Sequence, residues 1–313
     1  MIFKPSNIAE LSAKLSGANA RDEKIADMDL SALNRLLDHQ AEDMTATVEA
    51  GITLSALQSE LAKRGQWLPL DPPHPEKVTI GDIISQNLSG PRRFGYGTIR
   101  DYVIGLKAVL ADGRVIESGG KVVKNVAGYD LAKLFIGDCG SLGAVAEVTF
   151  KLRPLPEAEK FVSKKCKSVE EADTIIETVL DSDVTPVVLD LHNLPQGQPT
   201  LVLGFAGTNE EVEWQLEKAA PLGIAEQGSL QHENLFWADD KPAKKFSVLP
   251  SRLIETLRSL NNAPFVARAG NGIVYGRGMP PIAPAVPDAS LAAIKERLKT
   301  EFDPRHTLPE LSQ

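Results

Sequence analysis

Leu54, Leu57 and Leu61 recur at three- and four-residue spacing in "GITLSALQSELAKRG", which predicts a helix opened by Thr53 or Ser55 and stopped at Gly65. The preceding "MTATVEAG" reads as a strand. Upstream, Asn7 to Leu15 predicts a short helix, and Met28 to Leu37 carries spaced apolar residues before the polar turn "HQAED". Downstream, Pro69, Pro72, Pro73 and Pro75 hold the chain extended, because each ring fixes φ and removes an amide donor. Two β-rich runs in "YVIGLKAVLADGRVIES" flank Ala111-Asp112-Gly113 and predict a hairpin, and "GAVAEVTFKLRP" predicts a further strand.

Two stretches fit neither period. "TIGDIISQNLSGPRRFGYG", residues 79–97, is rich in glycine and carries two adjacent arginines. So much bare backbone suits tight turns or a ligand that approaches the main chain closely, and N–H groups beside arginine suit an anion. "GGKVVKNVAGYDLAKLFIGDCGSLG" is too glycine-rich for one regular element and too apolar for a disordered loop, so it predicts a packed loop, with Asp130 capping a short helix at 131–135.

Beyond Pro156 glycine thins and elements alternate at ordinary lengths: a strand near 160–166, a helix at 168–181, strands at 185–191 and 199–206, and a helix at 208–219. The order partly recurs in "KKFSVL", "PSRLIETLRSL", "FVARA", "GIVYGR" and "DASLAAIKERLKTEF". The pattern predicts two α+β domains, 1–156 and 157–313, the second built of two β-α-β-β-type units with helices on one face of a largely antiparallel sheet.

Composition narrows the function. A formal charge of −8 argues against nucleic acid and acidic membranes, so an anionic ligand needs a local basic site, for which Arg92, Arg93 and Lys124 are the nearest cations. Two cysteines, Cys139 and Cys166, exclude a disulfide framework or a Cys-rich metal or iron–sulfur site within this chain, and fit a reducing cytoplasm. Cys139 reads as a small buried side chain. The N-terminal residues lack a signal-peptide pattern, and no run approaches the ~20 apolar residues of a membrane span. The five histidines show no ligand spacing, so no metal site is expected, and G-x-S-x-G is absent.

Residues 45–156 resemble the FAD-binding domain of the vanillyl-alcohol oxidase or PCMH type, and within it the family of E-type glycolate oxidase subunits. The resemblance rests on Ala50-Gly51, Pro72-Pro73, Thr79-Ile80-Gly81-Asp82, Ser89-Gly90-Pro91-Arg92-Arg93, Arg100-Asp101, the run Lys124 to Leu131, Gly137, Gly140, Leu142-Gly143 and Glu147. It is weaker beyond this region, where "FDPRHTL" is similar to that family's tail but lacks its Pro-Gly-Arg.

The resemblance implies two α+β subdomains holding FAD, the first truncated here, with an α+β cap. It implies cofactor contacts at Pro72, Thr79, Gly81, Ser89, Gly90, Arg92, Arg93, Gly95, Tyr96, Gly97, Lys124, Asn125, Gly128, Tyr129, Ser141, Gly143 and Val145. It further implies hydride transfer from a small 2-hydroxy acid such as glycolate to flavin, within a complex containing a larger flavoprotein subunit and an iron–sulfur subunit. No catalytic base stands out, and Arg268 is a candidate for the substrate carboxylate. Asp82 replaces the second glycine of T-x-G-G, and the segment before Met28 has little room for the family's phosphate loop. The alternative is therefore a degenerate homologue with weak or no FAD binding, acting as a scaffold for flavoprotein and iron–sulfur partners.

Overall fold

The computed structural model describes residues 3–120, 130–195, 197–239, 242–277 and 289–311. The chain divides into two compact units. The first takes the residues through Ser89, Thr98–Leu155 and the C-terminal helix; the second takes Gly90–Gly97 and the stretch from Pro156 to before that helix. Two excursions thus separate this division from a single cut near residue 156. Both units are α+β with antiparallel sheets, the predicted class.

In the first unit, α1 (Ile8–Ala20) starts at Asn7, whose side chain accepts the Glu10 amide, and buries Leu11, Leu15 and Ala18. Strands β1 (Leu36–Gln40) and β2 (Thr45–Glu49) form a hairpin, and α2 (Leu54–Ala62) follows. Thr53, one of the two expected caps, accepts the Ala56 amide, and Leu54, Leu57 and Leu61 are buried as their spacing predicts. Then come β3 (Gln66–Trp67), α3 (Ile80–Gln86), β4 (Val103–Val109), β5 (Val115–Gly119), β6 (Ala144–Lys151) and β7 (Arg153–Pro154). The main sheet runs β1-β2-β6-β4-β5, antiparallel throughout, and β3 pairs separately with β7. One hydrophobic cluster joins Val48, Leu106, Val148 and Phe150 to Leu57, Ile83 and Phe135, while a second joins α1 to Leu33, Val109, Ala144, Ala146 and Leu308.

Gly51 sets the path of the segment before β1. A Cβ there would stand 2.0 Å from the Leu30 carbonyl oxygen, so only glycine admits this approach. Its amide donates to the Leu33 carbonyl at 2.7 Å, which fixes residues 30–33 against the end of β2.

The second unit holds the one-turn helix α4 (Arg93–Tyr96), β8 (Ala158–Lys165), α5 (Val169–Leu180), β9 (Val188–His192), β10 (Thr200–Gly207), α6 (Asn209–Ala219), β11 (Glu226–Gln227), α7 (Gln231–Trp237), β12 (Lys244–Ser247), α8 (Leu253–Ser259), β13 (Phe265–Arg268) and β14 (Ile273–Gly276). The sheet order is β11-β8-β10-β9-β13-β14-β12. The two expected β-α-β-β units are visible in it: β8-α5-β9-β10 and β12-α8-β13-β14 meet where β9 pairs with β13. Strand alternation sends Leu189, Leu191, Leu201, Leu203, Phe265, Ala267 and Val274 into one core with α5 and α8. The opposite face carries Asp190, His192, Arg268, Tyr275 and Lys245.

The last helix, α9 (Ala289–Phe302), belongs to the first unit. Its Lys299 is 1% exposed, and its ammonium donates to the Asp303 carboxylate at 2.7 Å and to the carbonyls of Ser141, Leu308 and Pro309 at 2.8–3.0 Å. Asp303 also accepts the amides of Thr307 and Leu308. Among the described residues no helix is long and apolar enough to cross a membrane.

Removing one partner of a buried ion pair leaves the other charge stranded, at a cost of about 3–5 kcal/mol. Lys299→Met is therefore expected to lower urea-unfolding stability by about that amount, whereas Lys63→Met, at an exposed pair with Glu60, changes it by less than about 0.5 kcal/mol. Equal stability of the two variants would contradict this account of the C-terminal staple.

Candidate functional site

A cleft of about 510 Å³ opens in the first unit between residues 25–31, the start of α3, and residues 138–145. Of the residues that the resemblance assigns to FAD, Thr79, Gly81, Gly143 and Val145 line it. Ser141 is fully buried, and its hydroxyl donates to the Glu310 carbonyl. Pro72 and Ser89 are buried in the same unit outside this lining. Gly90, Arg92, Arg93, Gly95, Tyr96 and Gly97 belong to the second unit. Lys124, Asn125, Gly128 and Tyr129 lie outside the described residues.

At the start of α3 and along residues 138–142 the cleft wall is closed by its own hydrogen bonds. Asp82 does not hang in the cleft as a free carboxylate. It makes a capping box with Thr79: Oδ2 accepts from the Thr79 amide and hydroxyl, and Thr79 Oγ1 accepts the Asp82 amide. The Ile80 and Gly81 amides donate to the carbonyls of Ile52 and Ala50. Across the cleft, the Cys139 amide donates to the Ser85 carbonyl, and Asp138 accepts the amides of Gly140 and Leu142.

These walls do not fit the diphosphate of FAD. Such a group needs unspent N–H donors or cations. The amides of Thr79, Ile80, Gly81, Asp82, Cys139, Gly140 and Leu142 are already bonded within the chain, and among the described residues the lining holds Asp27, Asp29, Asp82 and Asp138 but no lysine or arginine. Arg92 is also engaged: its guanidinium grips the Glu159 carboxylate through two bonds of 2.7 and 2.6 Å.

Three local expectations are corrected. Asp130 makes no side-chain cap, and residues 131–134 form a 3₁₀ turn. Cys139 is exposed, because its left-handed backbone (φ 54°) turns it out of the core; Cys166 is the buried cysteine. Arg268, expected to be available to a substrate carboxylate, is 2% exposed and already paired, with bonds of 2.6 Å to Asp190 and 2.7 Å to each Glu233 oxygen.

That pairing centres a polar cluster on the second unit's sheet. Asp190 and Arg268 are cross-strand partners. Helix α7 covers them with His232, whose Nε2 lies 3.0 Å from Asp190 Oδ2, and with Glu233. The His192 ring stacks on His232 at 4.4 Å, and burial together with that second imidazole pushes His192 down to about 3, so it is neutral at physiological pH. Burial opposes ionisation of Glu233, yet the Arg268 guanidinium holds it below its ordinary range. Asp190, His232 and Glu233 offer ligand atoms within 4.8 Å of one another, a grouping that histidine spacing did not suggest because Asp190 is remote in sequence. The Arg268 guanidinium fills that cation seat. A sequence signal existed: Asp190 and His192 interrupt the apolar run "VVLDLH" two residues apart.

Residues 12–119 match the sequence profile of a family described as FAD binding domain. The chain is 37% identical over 171 residues to glycolate oxidase subunit GlcD of Bacillus subtilis, covering 55% of this chain and 36% of that protein. It is 33% identical over 151 residues to glycolate oxidase subunit GlcE of Escherichia coli (48% and 43%), and 31% identical over 231 residues to the mitochondrial D-lactate dehydrogenase [cytochrome] of Arabidopsis thaliana (70% and 40%). It thus matches less than half the length of each of these relatives. Among solved structures, an alkyldihydroxyacetonephosphate synthase superposes with a TM-score of 0.75 at 15% identity, covering 97% of this chain and 74% of that one. The chain accordingly shares the fold of that synthase, α+β with antiparallel sheets, and residues 12–119 are similar to an FAD-binding domain.

Asp138 gives the cleft a measurable signature. Burial outweighs the two amides it accepts and raises its pKa from 3.8 to about 6. A carboxyl that binds its proton more tightly when folded contributes stability that is fully present below pH 3.8 and is lost as pH rises through about 6. Relative to Asp138→Asn, the wild type should therefore lose roughly 2–2.5 kcal/mol between about pH 4 and pH 7. Chemical denaturation at a series of pH values reads this difference, and a flat profile would remove the buried, protonated carboxyl.

Proposed function

We propose that this chain is a subunit of an FAD-dependent 2-hydroxy-acid oxidoreductase of the glycolate oxidase kind, acting beside a larger flavoprotein subunit and an iron–sulfur subunit on a small hydroxy acid. The observation that carries the reading is the FAD-binding-domain match over residues 12–119 in a chain whose relatives are glycolate oxidase subunits and D-lactate dehydrogenases. With two cysteines, the chain leaves any iron–sulfur cluster to a partner. The cofactor contacts proposed within the cleft are Thr79, Gly81, Gly143 and Val145, with Lys124, Asn125, Gly128 and Tyr129 on the intervening segment.

The acidic, self-bonded cleft favours a second reading, in which the chain keeps the flavoprotein fold, binds FAD weakly or not at all, and supports its partners as a scaffold. Each charged hydrogen bond missing from a diphosphate cradle costs about 1.5–3 kcal/mol, and each ~1.4 kcal/mol is a tenfold loss of affinity. Titration of the purified chain with FAD, followed by calorimetry and flavin fluorescence, separates the two. The expected result is binding weaker than about 1 µM. A tight stoichiometric yellow complex would show that this chain carries its own flavin and would end the scaffold reading.

A further inference from the structure

We propose that residues 90–97 are a clasp that closes one end of the second unit's sheet, with Arg92 as its latch. The resemblance assigns Gly90, Arg92, Arg93, Gly95, Tyr96 and Gly97 to a cofactor; their geometry within this unit gives the segment a mechanical duty.

Ser89 and Thr98 belong to the first unit, yet Gly90–Gly97 belong to the second. The segment is wound into the single turn α4, in which the Tyr96 amide donates to the Arg92 carbonyl and the Gly97 amide to the Arg93 carbonyl, and Gly97, at φ 83°, turns the chain out again. Three anchors hold it. Arg92 donates through Nε and Nη2 to the two oxygens of Glu159 on β8, at 2.7 and 2.6 Å, with the side chains 17% and 23% exposed. The Gly95 amide donates at 3.1 Å to the carbonyl of Val187, the residue before β9. A Cβ on Gly95 would stand 2.6 Å from the Val187 Cα, so glycine is required for this approach. Phe94 packs against the apolar cluster of the second unit and lies on Gly270, just past β13, where a Cβ would stand 2.0 Å from the ring.

Strand register places the three anchors at one end of the sheet. Glu159 is opposed to Ala206, Val188 to Gly204, and Asp190 to Arg268. Antiparallel pairing therefore brings the start of β8, the end of β10, the start of β9 and the end of β13 together, and α4 crosses them there. Strand ends open first in a native sheet, because little holds them beyond their last ladder bonds. Here a bidentate arginine–carboxylate pair, a main-chain hydrogen bond and an aromatic ring hold three of them. The second unit is thus completed by a ring and a guanidinium that a stretch of chain from between two parts of the first unit delivers.

The test is hydrogen exchange of the full chain read by mass spectrometry, in conditions where the rate follows the local opening equilibrium. Arg92→Met and Glu159→Gln are each expected to speed exchange about tenfold at the start of β8, the start of β9 and the end of β13, while β2 and β6 of the first unit keep their wild-type protection. Gly95→Ala opens the same places through a steric clash and without a change of charge. The double variant of Arg92→Met and Glu159→Gln exchanges no faster than the faster single one, because the pair is lost only once. Lys160→Met, at an exposed pair with Glu213 on the same strand, leaves exchange unchanged. Thermal unfolding establishes that each variant is folded. The proposal is overturned if Arg92→Met and Glu159→Gln exchange as the wild type does, if their effects simply add, or if exchange rises equally in both sheets, which marks a general loss of stability. Unchanged exchange together with FAD affinity gained by Glu159→Gln would instead mark Glu159 as a guard on a phosphate-binding arginine.

Discussion

A buried ammonium must be surrounded by acceptors, and Lys299 meets that demand by collecting four oxygens from three parts of the chain. The residue just past its own helix, Asp303, supplies one, the tail supplies those of Leu308 and Pro309, and the glycine-rich loop supplies that of Ser141. One charge thereby couples the end of the chain to a wall of the cleft. Ser141 closes the link by donating back to Glu310, and the edge-on rings of Phe135 and Phe302 pack beside it. Residues 138–142 hold their shape for this reason: they are fixed from behind by the tail and from within by Asp138.

The same economy explains the character of the cleft. A helix start and a glycine turn are the elements that elsewhere offer backbone amides to phosphate. Here the offers are withdrawn, because Asp82 occupies the start of α3 as a capping carboxylate and Asp138 consumes the turn's amides. A capping box contributes roughly 1 kcal/mol to a short helix, so what the fold gains in local stability it loses as a diphosphate cradle. The match to an FAD-binding domain and the acidic cleft are therefore compatible: the fold is the same while these particular amides are bonded within the chain.

The second unit arranges charge differently. Strand alternation gives one apolar face that α5 and α8 cover, and one polar face that α7 covers only in part. Buried charges survive there through pairing, as Arg268 does between Asp190 and Glu233.

Local pattern by itself determined a great deal of this protein. The spacing of Leu54, Leu57 and Leu61, the hairpin at Ala111-Asp112-Gly113 and the repeated β-α-β-β order were legible because periodicity and turn chemistry are short-range, and the motifs from Thr79 to Glu147 carried the FAD-type resemblance. Only the tertiary structure decided the rest. It returned α9 to the first unit, assigned Gly90–Gly97 to the second, paired Arg92 with Glu159, and brought Asp190 to His232 and Arg268. Those partners are from 42 to 78 residues apart, and no periodicity spans such gaps. An arginine or aspartate reads the same in sequence whether it is free for a ligand or spent on a neighbour, because which charge neutralises it is settled by strand register and chain return.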